Sequence, residues 1–245
     1  MTGYAQKALV SGMRFLAESQ AAIANNLANA ETASFKRRAA IATEGSEFAD
    51  QLDRRLPTVG VQEGIDWRLG NVRETGNQLD IALEQGSFLR VQDGGGRTYY
   101  TRNGKLQLDR DGFVVTQSGM RYLDAAGSPI KLDRNELTLS ALSIAPNGEI
   151  TNQQTGRSFG QIGVFQLPDT APLRAVGAGI YQDSQKQQPV PAQSGVQQGY
   201  EENSNVDSLQ EMVQMIVVQR SFAATQRALG SVDRMHDRLI ANLNR

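Results

Sequence analysis

The sequence predicts an α+β chain: a central antiparallel β domain flanked by long N- and C-terminal coiled-coil-forming helices. Three observations carry that prediction. Apolar residues step by three and four at both ends of the chain, the period changes to two in the middle, and the middle segments are separated by turn residues.

The C-terminal element spans 204–245. It contains no proline and one internal glycine, Gly230. From Met215 a heptad runs through Val218, Phe222, Thr225, Leu229, Val232, His236, Leu239 and Leu243, the spacing of a coiled-coil seam. Ser204, Asn205 and Ser208 are capping types, and Ser208 with Glu211 has capping-box spacing. A helix of about forty residues is roughly 60 Å long. That exceeds what one small domain can cover, so the seam needs a partner.

The N-terminal element, 1–35, offers one. Leu9, Met13, Leu16, Gln20, Ile23, Leu27 and Ala30 again step by four and three, while Ala21, Ala22, Ala24 and Ala28 make another face small enough for close backbone approach. The helix gives way at AETASFKRR, where Thr32 and Ser34 are poor interior helix residues.

Residues 36–78 form a connecting region in which no period persists. A short helix is expected over Glu44–Leu56, followed by turns and extended chain punctuated by Pro57, Gly60, Gly64 and Gly70. Residues 79–181 form the β domain, from short segments such as LDIAL, SFLRV, TYYTR and FVVT. Asn103-Gly104, Asp111-Gly112 and Asn147-Gly148 are expected to be type I′ hairpin turns. The glutamine-rich stretch 182–203 is expected to be an extended linker.

Composition removes several function classes. The 245 residues are 39% hydrophobic and 21% charged, with 25 basic and 26 acidic side chains. A net charge of −1 gives no electrostatic footprint for nucleic acid, and no uninterrupted apolar run is long enough for direct membrane insertion. Without cysteine there is no disulfide or thiolate site. Lys7, Arg14 and Glu18 interrupt the apolar core a cleaved secretory signal would need, so export without such a signal is expected.

Candidate chemistry is sparse. The single histidine, His236, occupies a seam position and is expected to pack rather than catalyse. Asp109-Arg110-Asp111-Gly112 has its glycine at position 4 rather than 6 of a calcium loop, and it fits a turn better. Asp93-Gly94-Gly95-Gly96 lacks the lysine and helix start of a phosphate loop. No catalytic residue, cofactor or metal site is expected.

The run Ala21–Arg37, AAIANNLANAETASFKR, resembles the N-terminal signature of flagellar rod and hook proteins, matching at Asn25, Asn26, Leu27, Ala28, Asn29, Thr32, Phe35 and Lys36. The segment from Glu202 through Val206, with EMVQMIVVQRSF from Glu211 to Phe222, is similar to that family's C-terminal helix. LDIALEQGSFLRV and YTRNGKLQLDRDGFVVTQSG resemble the core of its β domain. Ser34 stands where the family usually has glycine, and Ala224 and Thr225 replace an acidic residue and an asparagine.

The resemblance implies a structural subunit of the flagellar basal-body rod, spanning the periplasm and delivered by the flagellar type III export apparatus. It implies helical polymerisation with copies of itself and with other rod and hook proteins. The expected assembly residues are Leu9, Met13, Leu16, Ile23, Asn25, Asn26, Leu27, Asn29, Phe35, Ser204, Asn205, Val206, Met212, Met215, Ile216, Arg220, Phe222, Leu229, Val232 and Leu239. The short connection between Phe35 and Leu79 disfavours a hook protein and favours the proximal over the distal rod, whereas MVQMIVVQRSF looks more like the distal rod. Two alternatives stay open at this level: a wall-cleaving or other enzyme seated on the β domain, and a monomeric β protein whose end helices form an intramolecular hairpin.

Overall fold

A computed structural model describes residues 2–44, 59–133, 141–177, 179–192 and 195–243, with side chains described for 6–43, 60–133, 141–177, 179–192 and 195–235. Apart from Glu44, the helix expected over Glu44–Leu56 lies outside these residues, as do the side chains of His236 and Leu239. The chain forms two compact units. Unit 1 takes residues 1–28, 37–66 and 206–245, and unit 2 takes residues 29–36 and 67–205.

Unit 1 contains helix α1 (Thr2–Ala28), helix α2 (Ser208–Leu243) and the antiparallel ribbon β1 (Arg38–Glu44) with β2 (Val59–Ile65). The helices run antiparallel, as Gln6 meets Asp233 near one end and Asn26 meets Glu211 near the other. Ribbon β1–β2 packs on α1. Its two glycines let side chains cross the backbone: a Cβ on Gly64 would lie 2.2 Å from Ile41 Cδ1, and one on Gly60 would lie 2.7 Å from Thr43 Oγ1.

α2 starts one residue earlier than its sequence signal suggests. Asp207, not Ser208, caps it, with Oδ1 accepting from Leu209 N at 3.0 Å and Gln210 N at 3.1 Å. This leaves Glu211 for other partners.

The α+β class fits, with one N-terminal helix, one C-terminal helix and a mostly β centre among the described residues. The coiled-coil part of the expectation is corrected. A coiled coil buries its seam residues as successive knobs in facing holes. Along the described seam only Ile23 on α1 and Val218 on α2 are buried, while Leu9, Met13, Leu16, Met215, Phe222, Leu229 and Val232 stay half-buried. The heptad marks only one of two apolar faces on α2, and the other face faces solvent.

Unit 2 is built on a nine-stranded antiparallel sheet in the order β14-β15-β6-β5-β9-β8-β7, with β13 beside β5 and β16 beside β13. Here β5 is Ser87–Gln92, β6 Thr98–Thr101, β7 Gln107–Leu108, β8 Val114–Val115 and β9 Arg121–Tyr122. The outer members are β13 (Val164–Gln166), β14 (Leu173–Gly177), β15 (Ile180–Asp183) and β16 (Val190–Pro191). β5 is central, with β6 along one edge and β13 then β9 along the other. β10 (Leu142–Ile144), β11 (Glu149–Asn152) and β12 (Ser158–Gln161) form a three-stranded sheet, and Leu89, Val91, Tyr122, Leu132, Ile150 and Ile162 join one core.

The stretch 182–203, expected to be a linker, is instead part of unit 2. It holds β16, β17 (Val196–Gln198) and β18 (Tyr200–Glu202), which pair with β13, with β4 (Ile81–Leu83) and with β3 (Val72–Glu74) respectively. Val196 is buried. The composition misled because strand pairing is made by backbone groups, and a few side chains, Val196, Glu201 and Glu202, supply the burial while Gln197 stays exposed.

The hairpin turns are not type I′, since neither Asn103, Asp111 nor Asn147 has positive φ. Instead a four-residue pattern recurs. In Asp93–Gly96, Asp109–Gly112 and Asp124–Gly127 the glycine N–H donates to the aspartate carbonyl and the glycine takes positive φ. The aspartate Oδ1 accepts from the backbone N–H four residues on, at 2.8–2.9 Å. Gly104 has a different reason to be glycine, because a Cβ there would lie 1.8 Å from Ile81 O.

Candidate functional site

In unit 1, a buried carboxylate organises the meeting of α1, α2 and β1. Glu211 is 1% exposed. It accepts from Asn26 Nδ2 at 3.0 Å and from Arg37 Nε. Asn26 is itself fully buried and fully used: Nδ2 also donates to Arg38 O at 2.8 Å, and Oδ1 accepts from Arg38 N at 2.9 Å. A buried amide is tolerated only when its donors and acceptor are paired. Asn26 therefore stitches the end of α1 to the start of β1.

In unit 2, Glu202 plays the corresponding part. Its carboxylate accepts from Lys36 Nζ, from Arg102 Nε and Nη2 at 3.1 and 2.9 Å, and from Gly70 N at 3.1 Å. Arg102 uses its remaining donors on the carbonyls of Leu83, Glu84 and Ser87. Both cations are buried, and so is the carboxylate between them. Ser34 N donates to Glu202 O at 2.7 Å, and Asn205 N donates to Phe35 O at 3.3 Å. Segments from both ends of the sequence are thus knotted into one polar centre around buried Phe35.

Neither cluster is arranged for catalysis, as every charged member is engaged in a structural hydrogen bond. Among the described residues no group of acidic or histidine side chains could hold a metal ion, and no helix is long and apolar enough to cross a membrane.

The feature that remains unsatisfied is a surface. Leu209, Met212, Val213, Ile216 and Val217 of α2 are 51–72% exposed. They fall at i, i+3, i+4, i+7 and i+8, so they share one helical face. Scattered exposed apolar residues need no explanation, but a contiguous stripe marks an interaction site.

The expected assembly residues divide accordingly. Met212, Ile216 and Arg220 are exposed on α2, and Asn25 is exposed on α1. The seam positions Leu9, Met13, Leu16, Leu27, Met215, Phe222, Leu229 and Val232 are half-buried. Ile23, Asn26 and Phe35 are buried inside the chain. Asn29 pairs its Oδ1 with Thr32 Oγ1, Asn205 Nδ2 donates to Arg68 O, and Ser204 and Val206 are half-buried.

Comparison with known proteins gives the context of this surface. A family model described as flagellar hook protein FlgE/F/G D1 domain matches residues 82–152, within unit 2. A second, flagellar basal body rod FlgEFG protein C-terminal, matches residues 197–243. The flagellar basal-body rod protein FlgG of Bacillus subtilis is 27% identical, covering 96% of this chain and 97% of its own. FlgF of Caulobacter vibrioides is 29% identical over 84% of each chain, and FlgG of Buchnera aphidicola from Acyrthosiphon pisum is 29% identical over 89% of this chain and 91% of its own. Over most of its length the chain is similar to flagellar basal-body rod proteins.

It is a structural subunit of the rod, not an enzyme, and its place is the basal body. Within this rod protein, sequence reasoning missed Leu209, Val213 and Val217, although a second reading of α2 at helical spacing reveals them. It also missed Glu202, Glu211 and Arg102 as hubs. Their side-chain partners lie 100 to 185 residues away, and no local pattern announces such pairs.

Proposed function

We propose that this rod protein polymerises helically through its terminal helices, with further copies and with other flagellar rod and hook proteins, as part of the periplasm-spanning drive shaft. The observation that carries this reading is the exposed stripe Leu209, Met212, Val213, Ile216 and Val217. A monomer gains nothing from five large apolar side chains on one face of a helix whose other face is already covered. A surface that meets a different surface on the next copy makes a head-to-tail contact, and this grows into a helix when the rotation does not close. Similarity to flagellar basal-body rod proteins supports the same reading and supports delivery by the flagellar export apparatus. The test is electron microscopy of basal bodies from cells lacking the chain. Truncated rods, restored by the wild-type chain, are expected, and complete rods in the deletion strain would overturn the proposal.

A further inference from the structure

Unit 1 also carries a concave surface. Between α1 and ribbon β1–β2 lies a groove of about 270 Å³. Ala21, Ala22, Ala40 and Val61 line it beside the polar Asn25, Arg38 and Gln62, and Glu18 and Glu63 stand at its sides. Small-molecule pockets run roughly 300–1,000 Å³ and are lined mainly by large apolar and aromatic groups. This groove is smaller, and its alanines stand among polar side chains, leaving room for side chains of a neighbouring helix that carries both apolar and charged groups.

The chain itself holds a matching convex surface in the α2 stripe. At its C-terminal end the stripe continues into exposed Arg220, one helical turn beyond Ile216 and Val217. The groove is flanked by exposed Glu18 and by Glu63, which is 45% exposed in its side chain and paired with Arg38 at 3.2 Å. Among the described residues neither Glu18 nor Arg220 has an ion partner within the chain. Knob, hole and opposite charges thus lie on two separate surfaces of one molecule, and complementary potentials of this kind fix register between partners.

We propose that the α2 stripe of one copy seats in the α1–β1–β2 groove of a second copy, with Arg220 meeting Glu18. This rests on the rod reading and deepens it by naming the two surfaces that join. Because they differ, the contact is heterologous and leaves one groove and one stripe free at the ends of a growing assembly.

The cysteine-free sequence makes the test clean. Cells whose only copy carries Ala21→Cys and Met212→Cys are grown, and their basal bodies are isolated, oxidised and run on non-reducing gels. A ladder of dimers, trimers and higher species is expected, absent from either single-cysteine chain. If the chain is absent from wild-type basal bodies, the rod reading itself fails. If the double-cysteine chain is incorporated but runs as a monomer, or links only to a different rod protein, the docking proposal is overturned. Charge reversal gives a second measurement should those cysteines block assembly. Glu18→Arg and Arg220→Glu should each lower incorporation roughly tenfold, and the two together in one chain should recover most of it. No recovery in the double variant overturns the pairing.

Discussion

Asn26 on α1 donates a hydrogen bond to Glu211 on α2 at 3.0 Å across 185 residues of sequence, and both side chains are buried. One amide and one carboxylate thereby fix where the two ends of the chain meet. Asn26 belongs to the run that carries the family resemblance, yet its bonds are spent inside the molecule. Its neighbour Asn25 is exposed.

The two asparagines should therefore respond differently to substitution. Asn26→Ala removes the hydrogen-bond partner of Glu211 Oε2 and of the Arg38 backbone N–H and C=O, at a cost of about 2–3 kcal/mol. Asn25→Ala, at an exposed position, should cost less. Urea unfolding of unit 1, followed by helical circular dichroism, separates them, and equal effects would contradict the burial difference.

Glu202→Gln removes the counter-charge from both Lys36 and Arg102 in the interior of unit 2. Leaving buried cations unpaired costs about 3–5 kcal/mol. Unfolding monitored by Trp67 fluorescence, which reports on the aromatic cluster with Phe88 and Tyr181, should show a lower midpoint. An unchanged midpoint would mean the ion cluster contributes nothing to unit 2.

Ile216→Asp changes an exposed position, so the monomer should keep its stability within about 0.5 kcal/mol. Assembly should fail all the same, because a charge is introduced at the centre of the proposed contact. Purified variant with wild-type circular dichroism but no motility in complemented cells is the expected pair of results. Full motility would remove the stripe from the assembly surface.

Ser34 holds φ at 55°, in the left-handed region where a side chain costs about 1–2 kcal/mol. Relief of that strain by Ser34→Gly is partly offset by the greater freedom of glycine in the unfolded chain. The net expectation is stabilisation of about 0.5 kcal/mol, read as a small rise in thermal midpoint. A fall would show that the Ser34 hydroxyl matters more than its 3.5 Å approach to Glu202 O suggests.

Tyr122 is fully buried and donates to Asn103 O at 2.8 Å, and burial pushes its phenol pKa upward. A group raised on folding stabilises the folded state fully below its unfolded pKa, about 10 for tyrosine, and loses that contribution as pH climbs further. Unit 2 should hold its stability to about pH 10 and decline above it. In Tyr122→Phe that alkaline decline should be shallower, as measured by unfolding at a series of pH values.

Sequence periodicity by itself determined the two terminal helices and the strand-rich centre, because helix and strand spacing are local properties set by the backbone. The family resemblance was also carried by short runs at Ala21–Arg37 and Glu211–Phe222, legible without any tertiary information. Tertiary structure decided the rest. It showed that Asp207 caps α2 while Glu211 turns to Asn26 and Arg37, since a cap and an ion pair compete for the same carboxylate and the nearer buried partners win. It drew the glutamine-rich 182–203 stretch into unit 2 by pairing its backbone with β3, β4 and β13. It also decided which face of α2 is covered. Both faces are apolar in sequence, but α1 can lie along only one of them, and the other, from Leu209 to Val217, stays exposed.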